Sequence, residues 1–203
     1  MFADVRVVRR DEHRISTWSG GETTELAIFP LHSHYAARDF AWRVSSATVA
    51  VMTSEFTRLP GYERRLLLLA GELRLRPAAG LEVVLHPGEQ HVFQGETPMI
   101  SYGLATDFNL MLATGWAGRL THIVLAPGER LTWRPEDTAQ HALAYCWHGH
   151  AMFSLPNAST CSLGAGDLLW AASDTARLAP YDVVDNGQDQ LTLVLVSIAS
   201  DGS

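Results

Sequence analysis

The chain of 203 residues, 47% of them hydrophobic and 18% charged, has the composition of a globular protein and is long enough for one large all-β domain or two small ones. Its 15 basic residues are all arginines, and the absence of lysine excludes Schiff-base enzymes and P-loop nucleotide hydrolases. A formal net charge of −7, with the arginines scattered along the chain, argues against a nucleic-acid partner.

Strand patterns dominate the sequence in chain order. Runs of β-branched, aromatic or leucine residues bounded by Gly, Pro, Asp or Asn predict strands at Phe40–Ser45, Leu66–Leu69, Leu81–Leu85, His122–Leu125 and Leu191–Ile198. Helical turns are plausible only near Leu31–Arg38 and Glu136–Gln140. The sequence therefore predicts an all-β fold.

Turn-forming residues recur in the same order in the two halves of the chain. A Pro-Gly pair, a glycine between two strand patterns and a glycine before a third appear first at Gly61, Gly71 and Gly88, and again at Gly128, Gly149 and Gly166. The second and third glycines are 17 positions apart in both halves. Such repetition is typical of tandem β units. We therefore predict two β barrels, residues 1–115 and 116–203, and allow for an exchange of strands between them.

The second half resembles the cupin fold, a small jelly-roll barrel, through Pro127-Gly128-Glu129, Gly149 and Leu163–Trp170. Many cupins bind a metal through His-x-His, a Glu and a later His. Counted from Gly128, the two leading histidine positions fall on Arg134 and Glu136. In the first half the same positions hold Leu67 and Leu69, and only the later histidine has a match, in His91.

The stretch Cys146–Ala151 places His148 and His150 on either side of Gly149. This position is too late in the cupin pattern for metal ligands, so we interpret the stretch as a hairpin with exposed or hydrogen-bonded histidines. His32-x-His34 is a further pair without a third partner. Because catalytic zinc or iron usually takes three protein ligands, we expect no metal and no cofactor.

Arginines occur inside two of the predicted strands. Period-two alternation puts Arg43 on the same face as Ser45, and it turns one of Arg64 and Arg65 toward the interior. A buried guanidinium needs a partner for its charge and its five donors. Two alternatives stay open: an ion pair within the protein, with Glu25, Glu63, Glu96 or Asp107 as acceptors, or a small carboxylate ligand held by the planar fork.

Five blocks of the first half together carry a family signature: Trp18–Glu25, Phe40–Val49, Ser54–Phe56 with Leu59–Arg64, Phe93–Glu96, and Thr106–Met111. They resemble the HutD/Ves family of small bacterial bicupins. The resemblance implies two cupin barrels, no recognised metal motif and an association with histidine utilisation. It further implies a pocket that involves Thr24, Glu25, Trp42, Arg43, Arg64, Phe93, Glu96, Asp107 and Asn109.

The leading hypothesis is a non-catalytic protein that binds a small carboxylate metabolite of the formylglutamate or formiminoglutamate class. A rival hypothesis is an enzyme that uses Glu96 or Asp107 as a base and Arg64 to hold the substrate, or a metalloenzyme built on His91. A third is a homodimer that pairs through the tryptophan-rich second half.

The two cysteines, Cys146 and Cys161, cannot build a disulfide framework or a four-thiolate zinc site. Charged residues lie among the first six positions, and no apolar run of about 18 residues occurs. We therefore expect a reduced, cytoplasmic protein with neither a membrane nor a nucleic acid as partner.

Overall fold

The computed structural model describes residues 4–155, 158–173 and 178–201. The strands within these ranges are β1 (Asp4–Val8), β2 (Arg14–Trp18), β3 (Gly21–Phe29), β4 (Trp42–Val49), β5 (Thr53–Glu55), β6 (Tyr62–Gly71), β7 (Leu73–Pro77), β8 (Val83–Leu85), β9 (Gln90–Gln94), β10 (Met99–Tyr102), β11 (Ala105–Ala113), β12 (Trp116–Leu125), β13 (Arg130–Trp133), β14 (His141–His148), β15 (His150–Ser154), β16 (Thr160–Gly164), β17 (Leu168–Ala172), β18 (Tyr181–Asp185) and β19 (Leu191–Ser200).

The helical content is small. A 3₁₀ turn at Arg10–Glu12 is the one helical segment among the described residues. Residues 31–38 form separate hydrogen-bonded turns, such as the one closed by the Ala37 N–H on the His34 carbonyl. No helix in this part of the chain is long and apolar enough to cross a membrane. The all-β prediction is confirmed.

The chain divides into two compact units. The N-terminal unit comprises His13–Trp116, and the C-terminal unit combines Met1–Glu12 with Ala117–Ser203. The strand β1 joins the C-terminal unit because it pairs antiparallel with β17, from Asp4 opposite Ala172 to Val8 opposite Leu168.

The N-terminal unit consists of two antiparallel sheets. The larger sheet has the order β2-β3-β4-β11-β6-β9, and the smaller has the order β5-β10-β7-β8. Leucines that alternate along β6 and β7, including Leu66, Leu68, Leu73 and Leu75, form an apolar core with Phe93 of β9. This core occupies only part of the interior, since Arg64 precedes Leu66 on the same face of β6 and is buried, as are Asp107 and Asn109 on the neighbouring strand β11.

The C-terminal unit repeats the two-sheet plan with the orders β1-β17-β14-β19-β12 and β13-β18-β15-β16. Its core contains large side chains from both sheets, among them Trp133, Phe153, Leu169 and Tyr181. The two units are therefore jelly-roll-like pairs of sheets in tandem.

Matching glycines show the duplication in three dimensions. Gly71 and Gly149 have φ angles of 85° and 84°, in the left-handed region that favours glycine. The predicted hairpin at Gly149 is wrong, because β14 and β15 belong to different sheets and do not pair with each other. Gly71 likewise joins β6 to β7 of the other sheet. Each glycine therefore turns a corner between the two sheets of its unit.

Candidate functional site

A cavity of about 300 Å³ lies within the N-terminal unit. Its polar wall comes from three adjacent strands of the larger sheet, β4, β11 and β6. Register places Met111 of β11 opposite Arg43 of β4 and also opposite Arg64 of β6. Because side chains alternate along a strand, Asp107 and Asn109 share the face of Met111. Local alternation and strand register thus bring these five side chains to one wall.

Arg64 is 4% exposed. Its neighbour Arg65 faces the other side of β6, where its side chain is 28% exposed and pairs with Glu63 at 2.7 Å. The guanidinium carbon of Arg64 lies 4.6 Å from the centre of the Phe56 ring and 5.3 Å from that of Phe93. These contacts hold the guanidinium in place by cation–π attraction.

The charge of Arg64 has little direct compensation. Within the described part of the chain its single hydrogen bond runs from Nη2 to Oδ1 of Asn109, at 2.9 Å, and its buried Nε has no acceptor. Burial lowers the pKa of Arg64 to about 10. Tyr35 and Asp107 act to raise this pKa, and Arg43 acts to lower it further. The guanidinium remains charged at neutral pH, so the cavity contains a buried cation whose acceptor is a neutral amide.

Asn109 connects Arg64 to Asp107. An arginine only donates hydrogen bonds, so the amide turns its oxygen to Arg64, and its Nδ2 donates to Oδ1 of Asp107. Asp107 is 1% exposed. Burial raises the pKa of this carboxyl to about 7, although Arg64 and the hydrogen bond from Asn109 act to lower it. Asp107 therefore titrates near neutral pH inside the cavity.

Arg43, in contrast, has a carboxylate partner. Its Nε donates to Oε2 of Glu25 at 2.7 Å, and its Nη1 donates to Oγ of Ser45 at 3.0 Å. The ring of Tyr35 lies 4.4 Å from its guanidinium carbon. The ion pair is largely buried, with the two side chains 5% and 16% exposed. The charge of Arg43 is thus neutralised by the carboxylate of Glu25, whereas the hydrogen-bond acceptor of Arg64 is the neutral amide of Asn109.

Further lining of the cavity comes from β2 and β5. Ser16, Thr17 and Trp18 line it from β2, an edge strand exposed along its whole length. The Nε1 of Trp18 donates to Oγ1 of Thr23 at 3.2 Å, which fixes the indole beside the cavity. Solvent-exposed side chains thus border the cavity on this side.

The structure places the nine predicted site residues in different positions. Arg43, Arg64, Asp107 and Asn109 line the cavity. Glu25 and Phe93 contact the two arginines without belonging to the lining. The other three residues lie away from it: Thr24 neighbours the lining residue Thr23, Trp42 is fully buried and stacks on Phe29, and Glu96 is exposed and accepts a hydrogen bond from Arg58 through its backbone oxygen.

Several lining residues were not among the predicted nine. Met111 could have been found, because alternation from Asp107 and Asn109 puts it on the same face. Ser45 was recognised as sharing a face with Arg43. Tyr35 lies in the irregular segment before β4, where no sequence pattern indicates orientation.

Among the described residues, no group of three or more His, Cys, Asp or Glu side chains is arranged to hold a metal ion. His148 ends β14 and His150 begins β15, and both are exposed. His91 lies on β9 with its ring stacked on Phe93 at 5.7 Å.

Neither thiol is activated. Burial raises the pKa of Cys146 to about 12, with further contributions from Asp167 and Asp185. Burial also raises the pKa of Cys161, although Arg9 acts in the other direction. Since the thiolate is the nucleophile, these cysteines are unsuited to covalent catalysis.

Solved structures share this architecture. A conserved protein of unknown function from Pseudomonas aeruginosa PAO1 has a TM-score of 0.82 at 24% identity, covering 97% of this chain and 100% of that protein. HutD from Pseudomonas fluorescens SBW25 has a TM-score of 0.73 at 21% identity, with 98% and 100% covered. Oxalate decarboxylase from Bacillus subtilis has a TM-score of 0.68 at 10% identity, with 96% and 78% covered. At these identities the likeness bears on the fold alone, and it confirms the predicted bicupin.

Sequence comparison gives the family. Protein Ves of Escherichia fergusonii is 36% identical over 104 residues, which correspond to 48% of this chain and 52% of Ves. The match therefore spans about half the length of that curated relative. The family model for HutD matches residues 10–187, which is most of the chain. The chain therefore belongs to the HutD family.

Proposed function

We propose that this protein binds a small carboxylate metabolite in the cavity of its N-terminal unit and does so without catalysing a reaction. The observation that carries the proposal is the guanidinium of Arg64, which is buried in the cavity wall with an amide as its hydrogen-bond acceptor. A buried charge without a carboxylate partner is costly for a folded protein. A ligand carboxylate against Arg64 would offset that cost.

The surroundings of Arg64 suit such a ligand. A volume of about 300 Å³ lies at the small end of the range for metabolite pockets. Phe56 and Met111 supply apolar surface for a carbon stem, and Ser45 and Ser54 supply hydroxyl groups. Small-molecule sites commonly combine apolar walls with a few polar groups that fix the orientation of the ligand.

Family membership supports a narrower choice of ligand. The chain belongs to the HutD family, and the same family resemblance implies an association with histidine utilisation. We therefore propose the formylglutamate or formiminoglutamate class, in which a carboxylate would face Arg64. Binding such an intermediate would allow the protein to respond to the flux through that pathway.

The test is a ligand titration with two matched arginine variants. Formylglutamate, formiminoglutamate, glutamate and urocanate are added to the purified protein, and thermal unfolding and isothermal titration calorimetry are recorded. A ligand at about 100 times its Kd raises the free energy of unfolding by about 2.7 kcal/mol. We expect Arg64→Met to lose this stabilisation, because methionine keeps an apolar stem against Phe56 and Phe93 but removes the charge.

Arg65→Met is the matched control, since Arg65 is the next residue of the same strand but lies on its opposite face, paired with Glu63. It should retain the ligand response in full. Full retention by Arg64→Met as well would contradict the assignment of the site. No response of the wild-type protein to any of the four compounds would contradict the ligand class.

One observation favours an enzyme as the second candidate. Asp107 lies in the cavity, linked to Arg64 through Asn109, and its pKa of about 7 suits a general acid or base near neutral pH. Glu96, the other candidate base, is exposed and does not line the cavity. Mass spectrometry of the four compounds after incubation with the protein distinguishes the candidates, because an enzyme converts them and a binding protein returns them unchanged.

A further inference from the structure

The charges around the cavity nearly cancel, and the balance depends on one side chain. The charged and titratable groups that line the cavity or pair with its lining are Arg64 on β6, Arg43 on β4, Glu25 on β3, Glu55 on β5, Tyr35 before β4 and Asp107 on β11. Arg43 and Glu25 neutralise each other in a buried ion pair, and Glu55 is exposed to solvent. Arg64 and Asp107 remain as the buried groups that set the net charge.

The state of Asp107 then decides whether the cavity attracts an anion. With Asp107 ionised, Arg64 and Asp107 sum to zero, and a ligand carboxylate would meet a like charge across Asn109. With Asp107 neutral, the wall carries one positive charge, which matches one carboxylate. Like charges held close in a buried site cannot both stay ionised without a large cost in free energy.

We propose that the cavity binds its carboxylate ligand together with one proton, and that Asp107 is the group that receives this proton. The inference rests on the proposed carboxylate-binding function and adds to it the coupling between ligand and proton. In the bound state the ligand carboxylate pairs with the guanidinium of Arg64. Asp107 is then protonated and neutral, and it still accepts the hydrogen bond from Asn109.

The hydrogen-bond pattern is compatible with both states of Asp107. The amide of Asn109 is oriented by Arg64, so its Nδ2 always points toward Asp107. A neutral carboxyl accepts this hydrogen bond through its carbonyl oxygen and gains an O–H donor. An asparagine at position 107 would accept the same bond and would have an N–H₂ donor in place of the O–H. Asp107→Asn therefore imitates the protonated state permanently.

Thermodynamic linkage between the carboxylate ligand and the proton on Asp107 gives the expected pH dependence. If the carboxylate favours protonated Asp107, protonation favours the carboxylate by the same factor. Because the free group titrates near pH 7, the Kd of the wild-type protein should rise about tenfold per pH unit above that pH. Formylglutamate keeps the same charge between pH 6 and 9, so the ligand itself contributes no slope.

The experiment is calorimetric titration of the wild-type protein with formylglutamate from pH 6 to 9, repeated at pH 8 in triethanolamine and in Tris, neither of which is an anion. The two buffers differ in ionisation enthalpy, so the difference in observed heat gives the number of protons taken up. We expect close to one proton per ligand in the wild-type protein, and none in Asp107→Asn, whose Kd should be constant over the same range.

Each result has one interpretation. A flat wild-type profile with no proton uptake overturns this inference and leaves the proposed function in place, because the ligand still binds. A slope that persists in Asp107→Asn assigns the proton to another group and also overturns it. If formylglutamate fails to bind even at pH 6, the proposed function fails for this ligand, and the coupling fails with it. The two-buffer measurement needs only wild-type protein, so it remains decisive if the variant does not fold.

Discussion

Asp107→Asn should change how the stability of the protein depends on pH, even without a ligand. The pKa of Asp107 is raised from 3.8 in an unfolded chain to about 7 in the folded protein. Between these values the folded state binds more protons than the unfolded state, so the free energy of unfolding falls as pH rises. The loss begins near pH 4 and is complete above pH 7. Asparagine at position 107 cannot titrate and removes this dependence.

The size of the effect follows from the shift. A pKa difference of one unit corresponds to 1.36 kcal/mol, so a change from 3.8 to about 7 amounts to about 4 kcal/mol. Asp107 is 1% exposed, and solvent screening therefore reduces this figure little. The free energy of unfolding of Asp107→Asn minus that of the wild-type protein should thus increase by about 4 kcal/mol between pH 4 and pH 8.

Urea denaturation followed by circular dichroism at intervals of half a pH unit measures this difference. Other groups titrate in both proteins and cancel in the subtraction. Asp11→Asn, which removes an exposed carboxyl from the 3₁₀ turn, is measured in parallel as the control. If the difference for Asp107→Asn were independent of pH, or grew only below pH 5, Asp107 would have an ordinary pKa and the reasoning would be refuted.

Two further predictions concern the ion pair and the corners between sheets. Glu25→Ala leaves the charge of Arg43 without its carboxylate and should lower the free energy of unfolding, measured by urea denaturation, by about 3 kcal/mol. Glu22→Ala, at an exposed position of the same strand, is the control and should change it by less than about 0.5 kcal/mol. Equal effects of the two substitutions would show that the ion pair contributes nothing specific to stability. Gly71→Ala and Gly61→Ala both place a side chain at a φ near 80°, which costs about 1 kcal/mol, but only at Gly71 would the new Cβ lie 2.2 Å from a backbone oxygen, that of Leu104. Gly71→Ala should therefore unfold at a clearly lower temperature than Gly61→Ala, and equal melting temperatures would contradict the close approach.

Local alternation accounts for one part of the polar wall of the cavity. It placed Arg43 with Ser45, and both line the cavity. The neighbouring Trp42 lies on the opposite face of the same strand, where its indole stacks on Phe29. The family resemblance had grouped Trp42 with Arg43 as pocket residues. The alternation gave the better placement, because successive side chains of a strand must point to opposite faces of the sheet.

Sequence did not reveal which acceptor each arginine would contact. Glu25, Glu63, Glu96 and Asp107 were all open, and the pairing depends on strands far apart in the chain. Glu25 reaches Arg43 because β3 lies next to β4, and Arg64 reaches Asn109 because β11 lies next to β6. The prediction of a hairpin at Gly149 was wrong for a similar reason, since the sequence indicates a turn but not whether the following strand stays in the same sheet.

The sequence by itself determined the strands, the duplication and the family, because these depend on periodicity, on turn residues and on short blocks of neighbouring residues. Only the tertiary structure decided that Arg43 is neutralised by Glu25 while Arg64 is left with an amide. That difference follows from non-local strand pairing and from burial, which together set the partner of each charge and the dielectric around it. It turns two similar arginines into a structural ion pair and a candidate site for an anion.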